Sequence, residues 1–344
     1  MYKFLIAVLL LGFSKTFAQQ QPATIDSVAE RMLVYQRSYG GWPKAINEKK
    51  IVYEKALTDK QIKDAKQGLN DDDATIDNKA TSREIRHLVT AYKQTGNKAY
   101  LDAAQKGIDY LLKAQYANGG WPQYFPRKNL YRGQITYNDN AMVNVLTILQ
   151  DIVEKTKDFD AVDASYIPKA KEAVAKGVDC ILKTQVRTNG ELGAWAAQYD
   201  QNTLTPAKAR AFEPASLSSA ESVEIVRFLM RLPDPSAEVK ASIKAAMKWF
   251  EKVQIKGVAT KVVSDATKPQ GKDIIVVEDP SSVLWARFYE LNTFKPIFIG
   301  RDEVIRYNIA EIDYERRNGY AWYGPWAQKL FDKDYPKWLK KIGE

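Results

Sequence analysis

The sequence predicts an all-α fold, an α/α barrel or toroid of three or more helical hairpins with a small β-hairpin insertion. Three observations carry that prediction. A glutamine followed by a glycine-tryptophan turn recurs along the chain: Gln36 before Gly40-Gly41-Trp42-Pro43, Gln115 before Gly119-Gly120-Trp121-Pro122, Gln185 before Gly190, Gly193 and Trp195, and Gln254 before Gly257. The glutamines stand 79, 70 and 69 residues apart, an internal period. Between these marks, apolar residues recur at helical spacing in paired segments closed by Gly or Pro signals. Hairpins of this size bury their apolar faces only against one another, which suggests a ring of inner and outer helices.

Taken in order, Met1 to Ala18 carries Lys3, an apolar run from Phe4 to Phe13, and the small residues Thr16 and Ala18. That is the pattern of a signal peptide, too short in its apolar part for a stable anchor. The expected division is a leader over 1–18 and a single domain over 19–344, exported to the periplasm or outside the cell. The first hairpin is expected from Lys79 to Tyr92, a turn at Gly96-Asn97, and Tyr100 to Gln115, with Asp77 or Asn78 as N-cap. The second uses Ala141 to Lys155 and Ile167 to Gln185. The third uses Ser218 to Leu232, a turn at Pro233-Asp234-Pro235, and Ala237 to Val253. A fourth, less complete pair is expected to begin at Ser281-Ser282-Val283-Leu284-Trp285.

Three stretches fall outside the helical pattern. Val186 to Ala215 has no sustained periodicity, and a loop of that length is uncommon in a compact domain unless it is functional; its Trp195 and Tyr199 are candidate ligand-binding rings. Val258, Val262 and Val263, then Ile274 to Val277, read as two short strands around Lys268-Pro269-Gln270-Gly271, a hairpin flap. Gly319 to Trp326 is an aromatic loop with two open readings, packing or ligand-facing rings.

Charge and composition narrow the partners. The formal net charge is +9, which favours anionic partners without choosing among them. Lys and Arg are dispersed, with no dense tract and interleaved aromatics, so nucleic acid is not expected. His87 is the only histidine, which excludes a histidine-cluster metal site, and Cys180 is the only cysteine, so no intrachain disulfide forms. No stretch after the leader is apolar and long enough to cross a membrane, and nothing in the pattern asks for an oligomer, so a monomer is expected.

The segments that open the helices concentrate the chemistry. Thr75-Ile76-Asp77-Asn78 precedes one apolar helix, and Thr136-Tyr137-Asn138-Asp139-Asn140 precedes another 62 residues on from Asp77 to Asp139. With Arg210 to Ser218 and Glu278-Asp279-Pro280-Ser281, these starts are expected on one rim. Each alone reads as a helix cap; together, rich in carboxylates and flanked by arginines, they read as a cleft.

The same residues carry a resemblance. Gly40-Gly41-Trp42-Pro43-Lys44, Asp77-Asn78 with Ala80-Thr81, Gly119-Gly120-Trp121-Pro122-Gln123, Ile135 to Met142, Ala209-Arg210-Ala211-Phe212-Glu213-Pro214 and Arg301-Asp302 together resemble family 10 of the polysaccharide lyases, the pectate lyases with an α/α barrel. The similarity runs from about Asp26 to Trp326. It implies one catalytic domain that cleaves de-esterified homogalacturonan by calcium-assisted β-elimination, giving 4,5-unsaturated ends. It further implies Asp77 and Asp139 as calcium carboxylates with Asn78 as a supplementary oxygen ligand, Arg210 as the base, and Arg287 and Arg301 as holders of substrate carboxylates. Trp195 and Tyr199 complete the expected substrate contacts. The alternatives are a glycoside hydrolase with Asp77 and Asp139 as acid and base, a terpene-cyclase-like toroid suggested by the glutamine-tryptophan turns and Asp71-Asp72-Asp73, and a non-catalytic uronate-binding protein.

Overall fold

The computed structural model describes residues 25–344; the expected leader at 1–18 lies outside them. Eight helices form the larger part of the molecule. α1 (Ser27–Tyr35) starts at Asp26, whose carboxylate accepts from the amides of Val28 and Ala29, both at 2.9 Å. α2 (Asp59–Gln67) starts with a capping box between Thr58 and Gln61. The three predicted hairpins follow: α3 (Ser82–Thr95) with α4 (Lys98–Ala114), α5 (Ala141–Glu154) with α6 (Tyr166–Thr184), and α7 (Ser219–Arg231) with α8 (Ala237–Lys252). The first turn is made by Gly96 at φ +71° and by Asn97, which accepts from the Ala99 amide.

The helices stack in two rows. α1, α3, α5 and α7 touch in succession, and α4, α6 and α8 form a second row behind them. α5 is buried nearly all round, at Met142, Val145, Leu146, Ile148, Leu149 and Ile152 among others, because helices flank it on several sides.

The recurring glutamine and tryptophan hold this stack together. Gln36 Nε2 donates to the carbonyls of Gly40 and Ala103, Gln115 to those of Gly119 and Ala173, and Gln185 to those of Gly193 and Ser242. Each glutamine therefore closes its own turn and ties it to the second helix of the next hairpin. The indole of each turn tryptophan donates back into the preceding helix, Trp42 to Met32, Trp121 to Leu111, Trp195 to Ile181 and Trp285 to Phe250, with distances of 2.8 or 2.9 Å. Glycine is required where this turn meets the next hairpin: a Cβ on Gly119, at φ +90°, would stand 2.0 Å from the Lys176 carbonyl oxygen.

The all-α prediction does not hold, because the described chain is 46% helical and 17% strand, with several sheets. The expected fourth helical pair is absent: Ser281 to Trp285 lies in the strand Lys272–Ala286, which pairs antiparallel with Ile255–Ser264. The small flap is thus a long hairpin, and its second strand carries the fourth tryptophan, Trp285, into the helical core. Pro280 and the β-branched run from Ile274 to Val277 disfavour a helix there, and a short apolar run such as Val283-Leu284-Trp285 fits either period. A second, four-stranded sheet runs in the order Ile305–Arg306, Pro296–Ile299, Phe288–Tyr289, Leu217–Ser218. Under it lies a separate small core of Phe212, Phe288, Phe298, Ile299, Ile312 and Trp322. The C-terminal helix Tyr335–Lys341 and the π turn before it close the chain, the π turn packing against α7.

Candidate active site

The helix starts of α3, α5 and α7 meet at one end of the stack, as the periodic pattern requires. Each is preceded by a backbone hydrogen bond to a turn tryptophan: Thr75 N to Trp42 O, Thr136 N to Trp121 O, and Ser218 N to Trp195 O. Neither acidic residue caps its helix. Asp77–Lys79 and Asn138–Asn140 each form a single 3₁₀ turn, and the two turns pack against each other. Asn78 and Lys79 have φ of 50° and 65°, and Asp139 and Asn140 have φ of 52° and 60°. This left-handed backbone is tolerated best by Asn and Asp, and it aligns Asn78 with Asp139 rather than Asp77 with Asp139.

The carboxylates of this corner are short of positive charge. Asp77 is buried, with Oδ2 ion-paired to Lys44, while Oδ1 is buried and has no partner. Burial, then the charges of Asp77 and Glu221, raise the Asp139 pKa above its ordinary value, and Arg287 and Arg210 offset only part of this. Glu221, buried in the first turn of α7, accepts from the Ser218 hydroxyl and from Arg287 Nη2, the latter at 2.6 Å. Arg287 Nε is buried without a partner, and its guanidinium rests 4.9 Å from the Tyr320 ring centroid. Burial opposes its charge most strongly of any single cause, yet Glu221, Tyr320, Asp139 and Glu213 together outweigh burial and its pKa is raised. Asp139, Asn140, Glu221, Arg287 and Trp326 line a cleft of about 270 Å³.

Arginines form the opposite edge. Arg210 donates from Nε to Glu213 Oε2 at 2.7 Å and from Nη2 to Oε1, a two-pronged pair in which Glu213 is buried and Arg210 is 45% exposed. The hydrogen bonds to Glu213 push the Arg210 pKa up against the cost of burial. Arg210, Arg301 and Arg316 all lie against the ring of Phe212, at 4.8, 5.8 and 4.5 Å from its centroid. Arg301 is exposed and paired with Glu315 at 2.9 Å. Between Arg210 and Arg287 sits Tyr320, whose hydroxyl is buried and unpartnered.

Such a corner, with crowded carboxylates facing crowded guanidiniums, suits a ligand that brings its own charge of both kinds. The profile of the family described as pectic acid lyase matches residues 36–331. Family 10 polysaccharide lyase from Cellvibrio cellulosa has a solved structure 34% identical in sequence, with a TM-score of 0.78, covering 92% of each chain. A mutant of that family 10 lyase, solved in complex with trigalacturonic acid, matches at 34% identity and TM-score 0.78, over 92% of this chain and 93% of the other. The chain belongs to family 10 of the polysaccharide lyases. No curated protein matches it.

In this pectate lyase the structure gathers Asp77, Asn78, Asp139, Arg210 and Arg287 around one corner, with Arg301 beside Arg210. It removes two of the predicted substrate contacts. Trp195 and Tyr199 are fully buried: the indole is bonded to Ile181, and the Tyr199 hydroxyl accepts from the Ala196 amide at 2.6 Å, so both rings serve the core. Glu278 to Ser281 is strand rather than a helix start. In the aromatic loop Trp322 packs in the small core, whereas Trp326 lines the cleft.

Sequence reasoning missed Glu221, and it named Lys44 only inside a motif and Tyr320 only inside the aromatic loop, neither with a role. The first two had a signal. Lys44 follows Trp42 by two residues, as Arg287 follows Trp285, and Glu221 follows Ser218 by three, as Asp139 follows Thr136.

Proposed function

We propose that this lyase cleaves de-esterified homogalacturonan by β-elimination with calcium as cofactor and Arg210 as base. The observation that supports it best is the buried, unpartnered Oδ1 of Asp77 beside an Asp139 carboxyl whose pKa is raised by burial and then by the charges of Asp77 and Glu221. Lys44 occupies Oδ2 of Asp77 and the Asn138 amide donates to Oδ2 of Asp139, which leaves Oδ1 of Asp77 free to accept a cation. Among the described residues no three His, Cys, Asp or Glu side chains converge as a ready metal cage. A hard cation held by Asp77, Asp139 and the Asn78 amide oxygen would complete its shell with water and a uronate oxygen, which makes its binding weak until polymer arrives. Calcium there would neutralise the uronate carboxylate as charge builds at C5.

The rest of the chemistry falls to side chains. The C5 proton is removed, a double bond forms between C4 and C5, the C4–O4 bond breaks, and O4 leaves with a proton from solvent. Arg287 holds a guanidinium at the cleft for a substrate carboxylate, and Arg301 offers a second at its edge; both stabilise the developing enolate. Arg210 takes the C5 proton. A guanidinium is protonated at rest, so this role needs neutral Arg210, and Glu213 works against it. Arg287, Arg301 and calcium, all positive, push the other way, and an alkaline rate optimum is the expected signature.

The leader-like pattern of residues 1–18 supports an export reading, and no described helix is long and apolar enough to cross a membrane. The enzyme is taken to act as a monomer in the periplasm or outside the cell. Purified mature protein with polygalacturonate at alkaline pH should raise the ultraviolet absorbance of an unsaturated uronate, and a chelator should abolish the rise. Reducing ends without absorbance would replace elimination by hydrolysis; neither signal would leave a binding protein.

A further inference from the structure

Most arginines of the described residues have a carboxylate or carbonyl to bond. Arg132 alone among them makes neither an ion pair nor a side-chain hydrogen bond. Its guanidinium lies 4.8 Å from the centroid of Tyr124, and Lys44 lies 5.9 Å from the same ring. Tyr124 and Arg132 are joined by the bond from Tyr124 N to Arg132 O at 3.2 Å, and Tyr124 bridges antiparallel to Thr75, two residues before Asp77. The row therefore begins at the candidate cation site and leads outward. Farther along the same loop, Lys128 lies 4.5 Å from the centroid of Tyr116 and 5.2 Å from that of Phe125, and it too has no acidic partner among the described residues. The loop is tied down by Tyr116, whose hydroxyl donates to Gly133 O at 2.6 Å, and by Gln134, whose amide donates to Lys208 O.

An unpaired guanidinium braced on an aromatic ring is a costly arrangement to maintain for a monomeric fold alone, because ordering the side chain gains no ion pair. We infer that the loop from Tyr124 to Arg132 is an outer subsite for a polyuronate, with Arg132 and Lys128 binding carboxylates of sugar units that flank the unit being cleaved. Tyr124 and Tyr116 are positioning residues, Tyr124 for Arg132 and Tyr116 for Lys128. A row continuous with the Asp77 corner fits one long anion, since a single uronate in the cleft leaves its outer end unfilled. The inference rests on the polygalacturonate reading and deepens it.

The test is a chain-length series. Wild type, Arg132→Ala, Lys128→Ala and the double variant are assayed on galacturonate oligomers from the shortest one cleaved up to polygalacturonate. Lys171→Ala, on the exposed side of α6, controls for the loss of one charge. The double variant should lose about tenfold in kcat/KM on the polymer, mainly through KM, and nothing on the shortest oligomer. Highly methyl-esterified polymer should show no such difference. An equal loss on all lengths, the same loss in Lys171→Ala, or no loss would overturn the subsite. If wild type forms no unsaturated product, the elimination reading fails by itself. Retardation in gels containing polygalacturonate then decides the subsite: slower migration of wild type than of the double variant keeps it, and equal migration removes it.

Discussion

Arg210 and Asp139 carry the main tensions of the site, and both yield tests. Glu213 raises the Arg210 pKa, so removing its negative charge lowers it. Glu213→Gln should move the alkaline optimum of kcat to lower pH, measured as a full pH profile; an unmoved or higher optimum would separate Arg210 from proton removal. Asp139 is a carboxyl with a raised folded-state pKa, so the stability it lends is present below the unfolded value and lost as pH rises through the folded one. Asp139→Asn should therefore raise the Tm of calcium-free protein at neutral pH and remove the rise in Tm that calcium gives wild type. The Asp-Asn pairs themselves were legible in the sequence, because polar residues at two helix starts are visible as pattern. Their register was not, since the left-handed pair is residues 78 and 79 in one turn and 139 and 140 in the other. Trp195 and Tyr199 misled for a related reason: the turn motif marks a core tryptophan, and nothing local separates a buried ring from a ligand-facing one.

The hairpins show what periodicity can and cannot deliver. Three pairs appear where the apolar spacing put them, while the fourth is replaced by strands that bring Trp285 to the place the repeat demands. The glutamine and tryptophan bonds, not the secondary structure around them, are what repeats. One buried group joins three helices. Asp151 on α5 accepts from Arg86 of α3 at 2.6 Å and from Arg231 of α7 at 2.5 Å, with Lys157 at 3.4 Å. Burial would raise its pKa, but the two arginines outweigh burial and lower it. Its stabilisation is present above the ordinary carboxylate range near pH 3.9 and is lost as pH falls through the lowered value. Asp151→Ala leaves two guanidiniums facing a buried hole and should cost about 3 kcal/mol in urea unfolding at neutral pH, with a smaller cost in strong acid. Equal cost at both pH values would mean that packing, not charge, dominates there.

At the scale of the molecule, a two-row helical stack sets Asp77, Asp139 and Glu221 at one end, and segments outside the helices bring Arg210, Arg287 and Arg301 to meet them, Arg210 from a loop and the other two from just past strand ends. The helical half supplies carboxylates from a repeated turn, and the strand-rich half supplies cations from segments without a repeat. That division is why the acidic side of the site could be read from sequence period and its basic side only from a motif. The two sides touch where Arg287 pairs with Glu221, while Asp77 Oδ1 and Arg287 Nε stay without partners for a ligand with carboxylates and a cation. The most direct test of this account is the mass of the oligomers released from polygalacturonate by wild type and by Arg210→Ala with unchanged Tm. Elimination gives wild-type products with one unsaturated end, lighter by one water than hydrolysis products, and Arg210→Ala should slow their release by about 10²–10⁴-fold. Fully hydrated products, or full activity in a folded Arg210→Ala, would contradict it.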